Sequence, residues 1–226
     1  MSWGFQKNII KRLEEMSMRN FRRKYYDAFS KYYDRFVALH SRDAQGGLRK
    51  FLSAKIPVGT GDFVLDLCTG TGTLLPYLGE KVGENGLIVG VDFSWGMLEV
   101  CNMKNRKFPN IQILESDVAY LPFKDNSFDA VTCSHAFYEL KGKTQEQMLQ
   151  ETVRVLKPGK SFLMMEHDLP ENPVIRILLY IRLLSMGARR ALNTLKHEKE
   201  TLEKHFTFVE KLETTTGRSK IIVCHN

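Results

Sequence analysis

The 226-residue chain is poor in the features that mark several protein classes. Its four cysteines, Cys68, Cys101, Cys133 and Cys224, lie 32 or more residues apart, with no C-x-x-C pair and no Cys/His cluster at zinc spacing. That excludes a disulfide scaffold and reads as reduced thiols in a cytosolic protein. Seven prolines and 16 glycines without a period exclude a collagen-like chain, and there is no internal repeat or low-complexity segment. The stretch Met1 to Lys7 lacks the apolar run and small-residue cleavage site of a secretory signal, so a cytoplasmic location is expected. The greasiest segment, Val174 to Met186, is 13 residues long and carries two arginines, too short and too charged to cross a bilayer.

Acidic residues are scarce at both ends. Residues 1–55 hold 13 Lys/Arg against 5 Asp/Glu, and residues 172–226 hold 10 against 5, whereas residues 56–171 hold 10 against 16. A basic end can face nucleic acid, an anionic membrane or water. There is no Asn-Pro-Pro-Tyr-like base clamp and no basic strand interleaved with aromatics, so a nucleic-acid partner is not expected.

Residues 1–55 read as helix throughout. Trp3, Phe5, Ile9, Ile10, Leu13 and Met16 recur at helical steps, an aromatic-rich stretch runs from Phe21 to about His40, and a third runs from about Gln45 to Ala54. From residue 62 short apolar runs alternate with helical stretches. The runs are 63–67, 87–92, 111–114, 128–133 and 161–165; the helices are 73–81, 94–106 and 144–155. Continuous apolar strands with helical crossovers predict a parallel sheet covered on both faces. Residues 207–212 and 220–224, joined by a glycine-bearing link, predict an antiparallel hairpin at the end of that sheet. The segment 174–186 is apolar nearly all the way round, and a helix buried under the N-terminal helices is the favoured reading.

The stretch Val64-Leu65-Asp66-Leu67-Cys68-Thr69-Gly70-Thr71-Gly72 is a strand running into a glycine turn and then a helix. Such a turn lets a ligand approach the backbone at a helix N-terminus. Twenty residues beyond Gly72, Asp92 closes the second strand, where a carboxylate can accept both hydroxyls of a ribose. A dinucleotide fingerprint started at Gly70 requires glycine at position 75, which is Leu75. An acid before the turn, Asp66, suits a ligand with a cationic amino-acid end.

These residues resemble motif I of the class I S-adenosylmethionine (SAM) methyltransferases, D/E-x-G-x-G-x-G, with Cys68 in place of the first glycine. Asp92-Phe93-Ser94-Trp95-Gly96-Met97-Leu98 resembles the family's ribose-binding motif. Residues 115–131 resemble its adenine loop and fourth strand, and 154–160 the turn before its fifth strand. The resemblance covers about residues 58–168 and is similar to methyltransferase type 11. Within the family it is nearest to the C-methyltransferases of ubiquinone and menaquinone biosynthesis and to relatives that methylate phospholipid head groups. It implies a Rossmann-like, seven-stranded, mostly parallel sheet with an antiparallel C-terminal hairpin strand, helices on both faces and an N-terminal helical cap. The cap takes residues 1–55 and the SAM-binding domain 56–226, with a helical insertion at about 172–205.

The resemblance also implies the cofactor residues. Asp66 with Cys68, Thr69, Gly70, Thr71 and Gly72 takes the methionine end of SAM; Asp92 takes the ribose; Asp117 and Val118 take the adenine, against which Phe93 and Met97 pack. Ser134, at the end of the fourth strand, and Tyr33, like the tyrosine of a helical lid, complete the set. His135 and His167, just past the fourth and fifth strands, are the candidate general bases. Glu166 and Asp168 add carboxylates beside them, but nothing in the spacing requires a metal. The expected activity is methyl transfer to a small lipophilic acceptor, quinone-like or phospholipid-like. A SAM-binding protein that does not methylate and a nucleic-acid methyltransferase are the alternatives. Apolar helical faces beside Lys7, Lys11, Arg12, Arg182, Arg189 and Arg190 lead to an expected surface, residues 1–20 with 174–190, that covers the acceptor and makes peripheral contact with the anionic inner membrane face.

Overall fold

The computed structural model describes residues 20–35, 47–140, 142–168, 172–185, 191–214 and 219–226. Helix α1 spans residues 20–35 and α2 spans Gly47–Lys55. Then come β1 (Phe63–Leu67), α3 (Leu75–Val82), β2 (Leu87–Asp92), α4 (Trp95–Asn105), β3 (Ile111–Glu115) and β4 (Phe128–Ser134). A 3-10 turn at Phe137–Glu139 leads to α5 (Lys143–Val155), β5 (Leu156–His167), α6 (Pro173–Ser185), α7 (Ala191–Leu202), β6 (Phe208–Glu213) and β7 (Ser219–His225).

The strands form one seven-stranded sheet in the order β3-β2-β1-β4-β5-β7-β6. β1 to β5 run parallel to their neighbours, while β7 is antiparallel to both β5 and β6. The expected fold class is therefore the observed one, hairpin included. Each central strand carries apolar residues on both of its faces because both are covered. Leu65, Leu67, Val131, Cys133 and Phe162 point to a cluster closed by Met148 and Leu149 of α5. The alternate residues Val64, Ile88, Ala130 and Leu163 point to a second cluster closed by Leu52 of α2 and by Leu75 and Leu78 of α3.

Two readings need adjustment, and one lies outside the described residues. β5 begins at Leu156 rather than at 161, because Leu156 pairs with Phe128 before a register shift carries the strand past the turn at Pro158-Gly159. The helices expected at 1–16 and at 36–40 lie outside the described residues. The greasy segment is helical, as α6, but its described side chains are not buried. Val174, Ile177, Leu178 and Ile181 are exposed, and no described side chain of α6 belongs to either core cluster. The two faces of the sheet are covered by α2, α3 and α5, and these exposed residues of α6 join neither layer.

α1 is fixed to the rim of the sheet by polar contacts. Asp27 Oδ1 accepts from Gly96 N (2.9 Å) and from Ser94 Oγ (2.6 Å), which puts a carboxylate on the N-terminus of α4, where the helix dipole favours it. Arg22 and Tyr26 both donate to Glu139 Oε2, at 2.6 and 2.5 Å. Gly96 is what allows this approach: a Cβ there would lie 2.7 Å from Asp27 Cα. Gly96→Ala is therefore expected to push α1 away from α4, at about 1–3 kcal/mol of overpacking. Limited proteolysis should then cut within 20–35 faster than in the parent, with the far-ultraviolet circular dichroism of the sheet unchanged.

Candidate functional site

The strand order reverses direction between β1 and β4, and in open α/β sheets ligands bind at the carboxyl edge beside such a switch. The loop after β1 lies there. It leaves β1 with Cys68 in a left-handed conformation (φ +53°), followed by Gly70 at φ +55° and Gly72 at φ +69°. Cys68, where the family's motif has glycine, is half-buried and packs against the core below; Cys133 is hydrogen-bonded to it and buried, which pushes the Cys133 thiol well above its usual range.

Two buried carboxylates hold this loop. Asp92 Oδ2 accepts from Gly70 N at 2.9 Å and Oδ1 from Ser94 N at 3.0 Å, tying the turn after β1 to the turn after β2. Asp66 takes Thr69 Oγ1 on one oxygen and Thr132 Oγ1 on the other, each at 2.7 Å. Burial raises both carboxyls from an ordinary 3.8 to about 6, against the opposing pull of these hydrogen bonds. Each carboxylate retains acceptor capacity beyond these bonds.

The expected cofactor residues sit along this one edge. Asp66, Cys68, Thr69, Gly70, Thr71 and Gly72 form the strand end and turn; Asp92 and Phe93 follow β2; and Met97 is buried in the first turn of α4. Asp117 and Val118 follow β3, with Asp117 Oδ1 accepting from Ala119 N at 3.1 Å and Val118 buried. Ser134 ends β4. Tyr33 reaches the edge from α1. Burial, with the charges of Glu139 and Asp92 adding, pushes its hydroxyl up to about 12.

Sequence reasoning missed four contributors. Thr132 partners Asp66 from the neighbouring strand. Asp27 caps α4, as described above. Asp34 accepts from Thr71 Oγ1 (2.6 Å) and pairs with Lys104 (2.7 Å), joining α1 to the glycine turn. Glu139 gathers Arg22 and Tyr26. The only sequence signal for any of these was the Tyr32-Tyr33-Asp34 run that also holds Tyr33.

His135 and His167 meet on the same carboxyl edge, beyond β4 and β5. Their ring centroids are 4.6 Å apart, and the Tyr138 ring lies tilted against His167 at 5.4 Å. His135 sits at φ +53°, with its N–H on Met165 O at 2.7 Å. Beneath the pair, Glu166 is fully buried and accepts from Phe137 N at 2.9 Å; burial, with Glu198's charge adding, pushes its carboxyl well above the usual range. Lys220 pairs with Glu198, fastening α7 to β7 under this region. Among the described residues no group of three or more His, Cys, Asp or Glu is placed to hold a metal ion.

The edge fits the SAM expected from the motifs. A Cβ added at Gly70 would meet nothing within 4 Å, so the turn presents open backbone; a Cβ at Gly72 would collide with Cys101 Sγ and lie 2.7 Å from Asn105 Nδ2. One glycine faces a cradle and the other faces the core.

The methyltransferase-domain family matches residues 64–159. The chain is 37% identical over 158 residues to a demethylmenaquinone methyltransferase of Lactobacillus johnsonii, a match spanning 67% of this chain and 64% of that one. It is 34% identical over 182 residues to the demethylmenaquinone methyltransferase of Staphylococcus saprophyticus, covering 79% and 77%. Among solved structures, a SAM-dependent methyltransferase from Aquifex aeolicus superposes with a TM-score of 0.60 at 22% identity, covering 88% of this chain and 97% of that one.

Two outcomes follow from this geometry. Gly70→Ala should leave a folded protein with SAM affinity reduced at least tenfold, whereas Gly72→Ala should lower the melting temperature by several degrees, because its side chain enters the core. Calorimetry and thermal denaturation of the two variants separate these effects. The second outcome concerns pH. Accepting ribose hydroxyls needs an ionised Asp92, so SAM affinity measured from pH 7 to 5 should fall as the pH drops through about 6. The stability contribution has the opposite sign: raised carboxyls favour the fold fully below 3.8 and lose that contribution as pH rises through 6. Asp92→Asn should weaken the pH dependence of both, with the contribution of Asp66 remaining.

Proposed function

The chain belongs to the class I SAM-dependent methyltransferases, and on that basis we propose that it methylates a ring carbon of a quinone-like, lipophilic acceptor. One observation supports the acceptor class above the rest: two relatives named for demethylmenaquinone match it at 34–37% identity over 158–182 residues. SAM supplies an electrophilic methyl group on a good sulfur leaving group.

The residues then have distinct tasks. Asp92 holds ribose hydroxyls, Asp66 and the 68–72 turn hold the amino-acid end, and Asp117, Val118, Phe93 and Met97 enclose the adenine. Tyr33, carried by α1, covers the edge, so that the N-terminal helices act as a cap, and the segment at about 172–205 is a helical insertion between β5 and β6. An enclosed site excludes water and fixes the acceptor carbon in line with the methyl.

The acceptor carbon must be nucleophilic, so the ring enters reduced, as the electron-rich quinol. The ring carbon forms the new bond, the carbon–sulfur bond breaks with its electrons going to sulfur, and the ring hydrogen leaves as a proton. The paired imidazoles of His135 and His167, at the carboxyl edge of β4 and β5, take up that proton in this reading. A lipophilic acceptor of this kind is held in membranes, so the protein works in peripheral contact with an anionic membrane face.

Transfer of labelled methyl from SAM to a demethylated naphthoquinol, compared with the oxidised quinone, tests the reading. Incorporation into the quinol alone is expected. His135→Ala and His167→Ala should each lower kcat by about 10²–10⁴-fold, the usual contribution of a positioned base, with SAM affinity unchanged. Transfer to a phospholipid and none to the quinol would reassign the acceptor.

A further inference from the structure

α6 carries an apolar stripe in the wrong place for a soluble helix. Val174, Ile177, Leu178 and Ile181 stand at i, i+3, i+4 and i+7, the spacing of a single helix face. In a globular protein that face is turned to the core. Here the four residues are 56–64% exposed, with Tyr180 exposed beside them. An exposed contiguous apolar face of this kind marks an interaction surface.

Charge selects the partner. From residue 172 to residue 197 the sequence holds Arg176, Arg182, Arg189, Arg190 and Lys196 and no Asp or Glu. Arg176 is exposed too, on the side of the helix away from the stripe, where its long side chain can reach up to headgroups. The acidic residues of the chain are concentrated elsewhere, in residues 56–171. An apolar stripe in a segment that carries cations and no anions complements a surface that is itself greasy underneath and negative on top, which is an anionic lipid bilayer. A second copy of the chain would set the same arginines against one another. No described helix is long and apolar enough to cross a membrane, so α6 would lie in the interface.

We propose that α6 is a lipid-docking helix that lies flat in the headgroup region of an anionic membrane through Val174, Ile177, Leu178 and Ile181. It follows β5 directly, and β5 ends at His167, so docking would bring the β4–β5 edge and its histidines toward the bilayer. The proposal rests on the quinone-like acceptor only for its purpose, to meet a substrate dissolved in lipid; the binding itself stands on exposure and charge.

The test uses the full-length protein and needs no turnover. Sedimentation with vesicles of phosphatidylcholine alone, and of phosphatidylcholine with 30% phosphatidylglycerol, is measured from 50 to 300 mM salt. Binding to the anionic vesicles that weakens with salt is expected, and Ile177→Glu with Ile181→Glu should reduce it at least tenfold. Both positions are exposed, so the fold should hold, which the melting temperature checks. The double variant should keep parental methylation of a short-chain, water-soluble naphthoquinol and lose activity on a quinol embedded in anionic vesicles. Equal binding to both vesicle types overturns the proposal, as does a double variant that binds like the parent. A dimer in light scattering that the double variant abolishes also overturns it, assigning the stripe to a second copy. Failure of the acceptor reading appears separately, as no methylation of either quinol while vesicle binding remains.

Discussion

The site depends on one buried carboxylate bridging two turns. Asp92 closes β2, and its two oxygens take the backbone N–H of Gly70 and of Ser94. These donors head the loops after β1 and β2, and both loops line the edge where the strand order reverses. Burying an ionised carboxylate is costly unless hydrogen bonds compensate it. Here they do so incompletely, which is why the group remains harder to ionise than in water. An incompletely satisfied acid aimed at an open turn is suited to accept further hydrogen bonds from a ligand. Asp66 repeats the logic one strand away with two threonine hydroxyls in place of backbone donors.

α1 is attached to this edge through polar groups. Asp27 neutralises the start of α4, Asp34 meets Thr71 and Lys104, and Arg22 and Tyr26 converge on Glu139. Exposed and half-exposed ion pairs contribute little stability each. A helix held by several such contacts, against a sheet whose apolar faces are covered by other helices, has a lower opening cost than a core element. That suits a segment under which a cofactor must pass.

The sheet was legible because its signal is redundant: each central strand is mostly apolar on both faces and runs into a turn, so five parallel strands and a hairpin could be read without knowing their order. The glycine turn and Asp92 were legible because spacing along one strand–turn–helix unit is local. Thr132 was not, since its pairing with Asp66 depends on which strands become neighbours across 66 residues. Asp27 and Asp34 were hidden for a different reason. An acid on a helix rich in charge reads as solvated until a second helix terminus is placed beside it. α6 shows the limit of periodicity itself: an all-round apolar helix gives the same pattern whether a layer covers it or not, and only the structure showed that its exposed residues join neither layer on the sheet.

The position of β7 bears on how the chain is made. Among the strands β7 is last in sequence, yet in space it lies between β5 and β6. During synthesis β5 emerges more than 50 residues before the strand that will cover its open edge, with α6, α7 and β6 in between. For that interval the β5 ladder exposes unpaired N–H and C=O groups next to Phe162 and Met164, which become core residues. Closing it requires contacts between distant segments, which form slowly. The nascent chain therefore has a vulnerable period, ending only when residues 219–225 leave the ribosome, in which a chaperone or a neighbouring nascent chain could capture that edge.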